Sequence, residues 1–205
     1  MTRQFSARSL VLTAAISALV LGVGSRMAAE GPLAVNTARI TIAGTSNVHD
    51  WTAETTQATV TRVQFAAETA GPSFWDEVQK PGALTAFDLT IPATSLKSEK
   101  EGLDKNMFKA LKTKEHPEIT FKLARLEGTG GLLKASGTLQ VAGVEREITL
   151  PLKTTRKGSM LSVTGEVDVL MTDHGIAPPK AMMGMIKSDP KIKVTFELVL
   201  ALATT

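Results

Sequence analysis

The chain has 205 residues, 43% of them hydrophobic, with 23 Lys and Arg against 20 Asp and Glu, a length suited to one well-buried domain. It contains no Cys, which excludes a disulfide framework, thiolate metal sites, iron–sulfur clusters and a cysteine nucleophile. A formal charge of +3 points to nucleic acid or an anionic membrane only if the excess sits in the folded part.

The amino-terminal segment decides that. Arg3 and Arg8, with no acid among them, precede an almost unbroken apolar run of 14 residues from Leu10 to Val23. This is the layout of a secretory signal peptide, because the run is shorter than the roughly 20 residues a membrane span needs and no stop-transfer pattern follows. Cleavage is expected between Ser25 and Ala29. Removing residues 1–29 takes away Arg3, Arg8 and Arg26, which leaves 20 basic against 20 acidic residues. The exported part therefore carries no global attraction to nucleic acid, and a periplasmic location is expected.

The remainder reads as sheet. Ile40 and Ile42 alternate with polar neighbours in Ala38 to Thr45, and Val63, Phe65 and Ala67 keep the same period in the stretch after Trp51. The period returns at Phe87, Leu89 and Ile91, at Ile119, Phe121 and Leu123, at Leu139 and Val141, and at Ile148, Leu150 and Leu152. Val163, Val167, Val169 and Met171 form a seventh set, and Phe196, Leu198, Leu200 and Leu202 an eighth. Alternation of this kind predicts eight strands with one buried face each. Glycine-bearing links at Gly128 to Gly131, Ala142–Gly143 and Arg156 to Ser159 suit tight hairpins and so antiparallel neighbours.

One segment has a different period. Leu103, Met107, Phe108 and Leu111 repeat at helical spacing within Ser98 to Lys114, Ser98 and Glu101 have the form of a capping box, and Pro117 ends the run. The other long excursion, Gly71 to Gly82, carries Phe74 and Trp75 and is expected as an exposed loop able to meet a partner. The expected fold is therefore all-β, an eight-stranded antiparallel lipocalin-like barrel with one short helix in a long connection. A transmembrane barrel fits poorly, since the chain has no Tyr for interfacial girdles and places Lys122, Arg125, Glu166 and Asp168 inside candidate strands.

The His, acidic and Met residues are the candidates for metal or catalytic chemistry. His49 with Asp50, His116 with Glu118, and Asp173 with His174 offer imidazoles beside carboxylates, and Met182, Met183 and Met185 could supply soft ligands to copper(I). No local spacing brings these groups together, so no metal or other cofactor is expected. Ser46 and His49 lack a nucleophile elbow, and no phosphate loop or zinc-protease signature is present. The chain reads as a binder and not an enzyme.

Five short motifs carry a family resemblance. Gly44, Thr45, Ser46, His49, Asp50 and Trp51 resemble the opening motif of one branch of the YceI-like family, exported bacterial proteins of the polyisoprenoid-binding type. Leu103 to Phe108, with Asp104 near a usually basic position, is similar to its helical segment, and His116, Pro117, Ile119, Thr120 and Phe121 to a strand entrance. Gly137 to Val144 looks like its hairpin, and Asp173, His174, Gly175 and Ile176 like its turn, with His174 in place of an aromatic. Together they span about residues 36–203.

The resemblance implies an extended barrel with an elongated apolar cavity that holds a long isoprenoid or fatty tail, such as that of a quinone. The expected lining is Phe65, Phe87, Leu89, Phe121, Leu139, Val169 and Met171, with Phe108 on the helix and Met182, Met183 and Met185 near the entrance. His49, Asp50 and Trp51, and Asp173, His174 and Gly175, are expected as structural motifs. The alternative is a ligand-free envelope module acting in stress protection or protein interaction. A homodimer stays open, because the pattern contains no heptad to read.

Overall fold

The computed structural model describes residues 33–66, 73–181 and 185–203. The expected signal segment, Ala67, Met182 and Met183 lie outside the described residues. Ten strands are present among the described residues: β1 (Leu33–Ser46), β2 (Trp51–Thr55), β3 (Thr59–Phe65), β4 (Leu84–Pro92), β5 (Glu118–Thr129), β6 (Leu132–Val141), β7 (Val144–Lys157), β8 (Met160–Leu170), β9 (Lys180–Ala181) and β10 (Ile186–Leu202). Nine of them form one curled antiparallel sheet in the order β2-β1-β10-β8-β7-β6-β5-β4-β3, and β9 adds to β10. Helix α1 (Phe74–Glu77) precedes β4 and helix α2 (Glu101–Ala110) precedes β5.

The strand count exceeds eight because the stretch after Trp51 is two strands. β2 pairs with β1 and β3 with β4, so these neighbours in sequence stand at opposite edges of the sheet. Thr55 stops the first run: its hydroxyl contacts the Ser95 hydroxyl at 2.6 Å and accepts the Gln57 N–H, which turns the chain across the seam. Alternation alone does not report this switch of partner.

The long strands do not alternate strictly either. Asn36 in β1, Thr61 in β3, Thr85 in β4 and Ala124 in β5 are each unopposed in their ladders. A single extra residue reverses which face the following side chains occupy. The sequence uses this: Leu33 and Val35 face the interior before Asn36, and Ala38, Ile40 and Ile42 face it afterwards, while Leu123 gives way to Leu126 across Ala124. The links β5–β6, β6–β7 and β7–β8 each turn on two residues; in the second, Ala142 and Gly143 have φ of 51° and 81°, the pairing that such a turn on right-twisted strands requires.

The seam between β2 and β3 is patched rather than zipped. Glu54 and Lys97 exchange backbone hydrogen bonds of 2.8 Å in both directions, which lays the segment after β4 along β2. Leu96, 1% exposed, plugs the gap behind it with Ala93 and Ile119. At the other end Val60 and Val63 of β3 pack with Leu33 and Ala38 of β1.

Outward faces carry the charge. Arg39 and Glu54, Lys191 and Asp168, Lys193 and Glu166, and Arg125 and Glu127 form exposed ion pairs of 3.1 to 3.5 Å on the strands. A bilayer-spanning barrel needs the opposite polarity, apolar outside and polar within. None of the described helices is long and apolar enough to cross a membrane.

Leu96→Ala is expected to destabilise the fold by about 2–5 kcal/mol, the range for truncating a fully buried Leu, measured by equilibrium denaturation. A loss under about 1 kcal/mol would mean that the seam is held by its backbone bonds alone.

Candidate ligand cavity

The inward faces enclose two apolar chambers on one axis. The first, about 190 Å³, is walled by Leu33, Phe87, Leu89, Phe121, Leu150 and Phe196 among others and lies toward α1. The second, about 170 Å³, is walled by Ile42, Trp51, Ile119, Met171 and Ile176 and by the α2 residues Leu103, Met107 and Ala110. Five side chains border both: Ile40, Ile91, Leu139, Val169 and Val194, one each from β1, β4, β6, β8 and β10. They form an aliphatic waist. Each chamber alone is smaller than an ordinary ligand pocket of about 300–1,000 Å³, and joined through the waist they reach that range.

The α1 end is closed. Phe74 and Trp75 are 2% and 3% exposed, and Phe74 meets Phe65 and Trp75 edge to face at 5.6 and 5.0 Å. The excursion expected as an exposed partner loop is in this part a lid folded into the barrel, because two large aromatics bury more apolar area there than any other use would allow. The polar groups beneath it are engaged. The Trp75 Nε1 donates to the Ser159 carbonyl at 3.0 Å, the Gln79 amide donates to the Trp75 carbonyl, and the Thr154 hydroxyl donates to Gln79 Oε1. Arg156 and Asp76 pair at 3.3 Å across the lid's outer face.

Helix α2 covers the other end and is seated by Asp104 rather than by the expected capping box. Lys100 occupies the N-cap position and makes no side-chain cap. Instead the Ser98 N–H and hydroxyl both donate to Asp104 Oδ1 at 2.7 Å, and Lys97 stands 3.9 Å from the carboxylate. The Ser98 hydroxyl and then its N–H hold the Asp104 carboxyl below the ordinary carboxylate range, with Lys97 adding a smaller pull against the cost of burial.

Of the residues expected to line a cavity, Phe87, Leu89, Phe121, Leu139 and Val169 border the first chamber, and Leu139, Val169 and Met171 the second. Three stand elsewhere. Phe65 packs behind the lid on Phe74. Phe108 lies off the cavity face of α2, with the Lys97 ammonium 4.7 Å above its ring. Met185 is 65% exposed.

The motif residues divide in the same way. His49 and Asp50 are exposed, and the turn they occupy is held by Ser46, whose Oγ accepts the Val48 and His49 N–H groups and donates to the His49 carbonyl. Trp51, by contrast, enters the second chamber. Asp173 is exposed, whereas His174 is 3% exposed, borders that chamber and bonds through Nδ1 to the Val144 carbonyl at 3.0 Å. Gly175, at φ 67°, turns the chain out of the short 3-10 segment Met171–His174. Among the described residues no three His, Asp or Glu side chains converge on a common point. Gln79 and the helix residues Leu103 and Met107 belong to the cavity but lie outside any strand pattern, and Thr154 continues the alternation of Ile148, Leu150 and Leu152 with a polar side chain that an apolar pattern passes over.

An antiparallel barrel that is charged outside, apolar inside and lidded at both ends belongs to the lipocalin-like container barrels. Residues 33–200 match the YceI-like domain, and the chain belongs to that family. No curated protein matches it. Among solved structures it is similar to BcnA of Burkholderia cenocepacia, at 14% identity and a TM-score of 0.62 over 82% of this chain and 96% of that one. A polyisoprenoid binding domain from Saccharophagus degradans, implicated in plant cell wall breakdown, aligns at 12% identity and 0.59 over 84% and 99%. The YCEI protein of Campylobacter jejuni aligns at 17% identity and 0.55 over 73% and 82%.

Asp104 contributes stability that is complete above about pH 4 and lost as the pH falls through its lowered folded value. Asp104→Asn is therefore expected to lower Tm at pH 7, with the gap to wild type narrowing below about pH 4 in thermal scans. A gap that stays constant down to pH 3 would assign the loss to packing alone.

Proposed function

We propose that the protein is an exported, periplasmic carrier that holds one linear amphiphile with an isoprenoid or fatty tail along the barrel axis. The observation that carries this reading is the pair of apolar chambers meeting at a waist of five aliphatic side chains. A tail gains on the order of 25 cal/mol per Å² removed from water and needs no hydrogen bond along its length, so a wall of Ile, Leu, Val and Phe suffices. A linear chain can thread the waist and fill both chambers, whereas a compact ligand could occupy only one. The family membership and the polyisoprenoid-binding neighbour favour the same ligand class. Export rests on the charged, apolar and small-residue pattern of residues 1–29. The reading is of binding without catalysis.

Protein purified natively without detergent and extracted with organic solvent is expected to release a lipid in near-stoichiometric amount, identified by mass spectrometry. Repeated preparations with none, together with no rise in Tm on adding prenols or prenylated quinones, would end the carrier reading.

Leu139→Trp, which narrows the waist, is expected to cut lipid content several-fold while circular dichroism shows the same sheet. Unchanged content in a folded variant would mean that the ligand does not cross the waist.

A further inference from the structure

The second chamber contains an unsatisfied donor. Trp51 opens β2 opposite Gly44 of β1, and Gly44 follows Ile40 and Ile42 on the inward face. The indole occupies the space of the missing side chain: a Cβ at Gly44 would fall 2.3 Å from Trp51 Cζ2 and 2.5 Å from Cε2. The ring is thereby laid into the chamber wall. Its Nε1 is the one buried side-chain nitrogen or oxygen without a hydrogen-bond partner among the described residues. A buried N–H left unpaired is costly, so it signals a partner that the chain itself does not supply.

The neighbouring polar groups sharpen this. In the same chamber Thr55 is engaged with Ser95 and Gln57, and His174 Nδ1 with Val144. At the α1 end the equivalent indole, Trp75, is satisfied by Ser159, and Gln79 and Thr154 satisfy each other. Among the described residues the buried donor without a partner lies at the α2 end only, so the elongated cavity is polar in one direction. Among the described side chains no Lys or Arg borders either chamber, so they offer a buried carboxylate no counter-charge, at high cost.

We infer that the Trp51 indole N–H is the recognition group for a neutral carbonyl oxygen on the ligand, of the ketone, quinone, ester or amide class, and that it orients the ligand with its head at the α2 end and its tail through the waist toward the α1 lid. Gly44 is the residue that admits the indole. This rests on the carrier reading and adds to it a headgroup class and a direction.

The test compares two probes on the delipidated protein: farnesylacetone, and the hydrocarbon in which its carbonyl is replaced by methylene. Wild type is expected to bind both. Trp51→Phe, which keeps an aromatic wall and removes the donor, is expected to weaken the ketone about three- to tenfold more than the hydrocarbon, as loss of one net hydrogen bond does. In ¹⁵N-labelled wild type the Trp51 indole proton is expected to move downfield with the ketone alone, while that of Trp75 holds its position as an internal reference. Equal weakening of both probes, or an unmoved Trp51 resonance in ketone-saturated protein, overturns the inference and leaves the carrier reading standing. Failure of wild type to bind either probe overturns both. Should Trp51→Phe fail to fold, the wild-type resonances decide the question alone.

Discussion

A strand that runs the length of a container barrel must keep its apolar side inward over every residue, and in this protein single unopposed residues keep it there. Asn36, Thr61, Thr85 and Ala124 each absorb one step of the pleat, so that the apolar positions on either side share the interior although their sequence parity differs. Without these bulges half of β1 or β5 would present its apolar side chains to water. The enclosed chambers, the waist and the outward ion pairs all depend on that constraint.

Because the wall is thus apolar from end to end, the ends carry the discrimination. The α1 end is a satisfied lid: two aromatics packed edge to face, with the Trp75 indole, the Gln79 amide and the Thr154 hydroxyl partnered inside the protein. The α2 end is built differently. Its helix is seated by an ionised Asp104 under Ser98, its wall includes a buried His174 tied to β7, and Trp51 lies over Gly44 with an unpaired donor. The two ends therefore differ in chemistry and not only in shape, which gives an otherwise featureless tunnel a direction.

Much of the architecture was legible in the residues. The alternating sets, the glycine-bearing hairpins and the helical spacing around Met107 are local patterns, and they became strands, tight turns and a helix, although the helix is shorter than the Ser98 to Lys114 span and the stretch after Trp51 became two strands instead of one. The division of β2 from β3 was not legible, because both keep a period of two and only the partner strand changes at Thr55 to Thr59. The same limit applies to the aromatics. Phe74 and Trp75 sit in a segment rich in Pro and Gly that reads as exposed loop, yet a lid is defined by the opening it covers, and no local pattern encodes that opening. Phe108 follows helical spacing with Met107, but adjacent positions on a helix face directions about 100° apart, so only one of the two could face the cavity.

The sequence by itself determined the all-β class, the antiparallel order of the hairpins, the inward apolar sets and the family, because these rest on residue period, turn chemistry and short ordered motifs. Tertiary structure alone decided which strand pairs across the seam, that α1 is a lid, and that the Trp51 donor is left without a partner. Each of those depends on distances between residues far apart in the chain, and hydrogen bonding and burial act on such distances whatever the sequence separation.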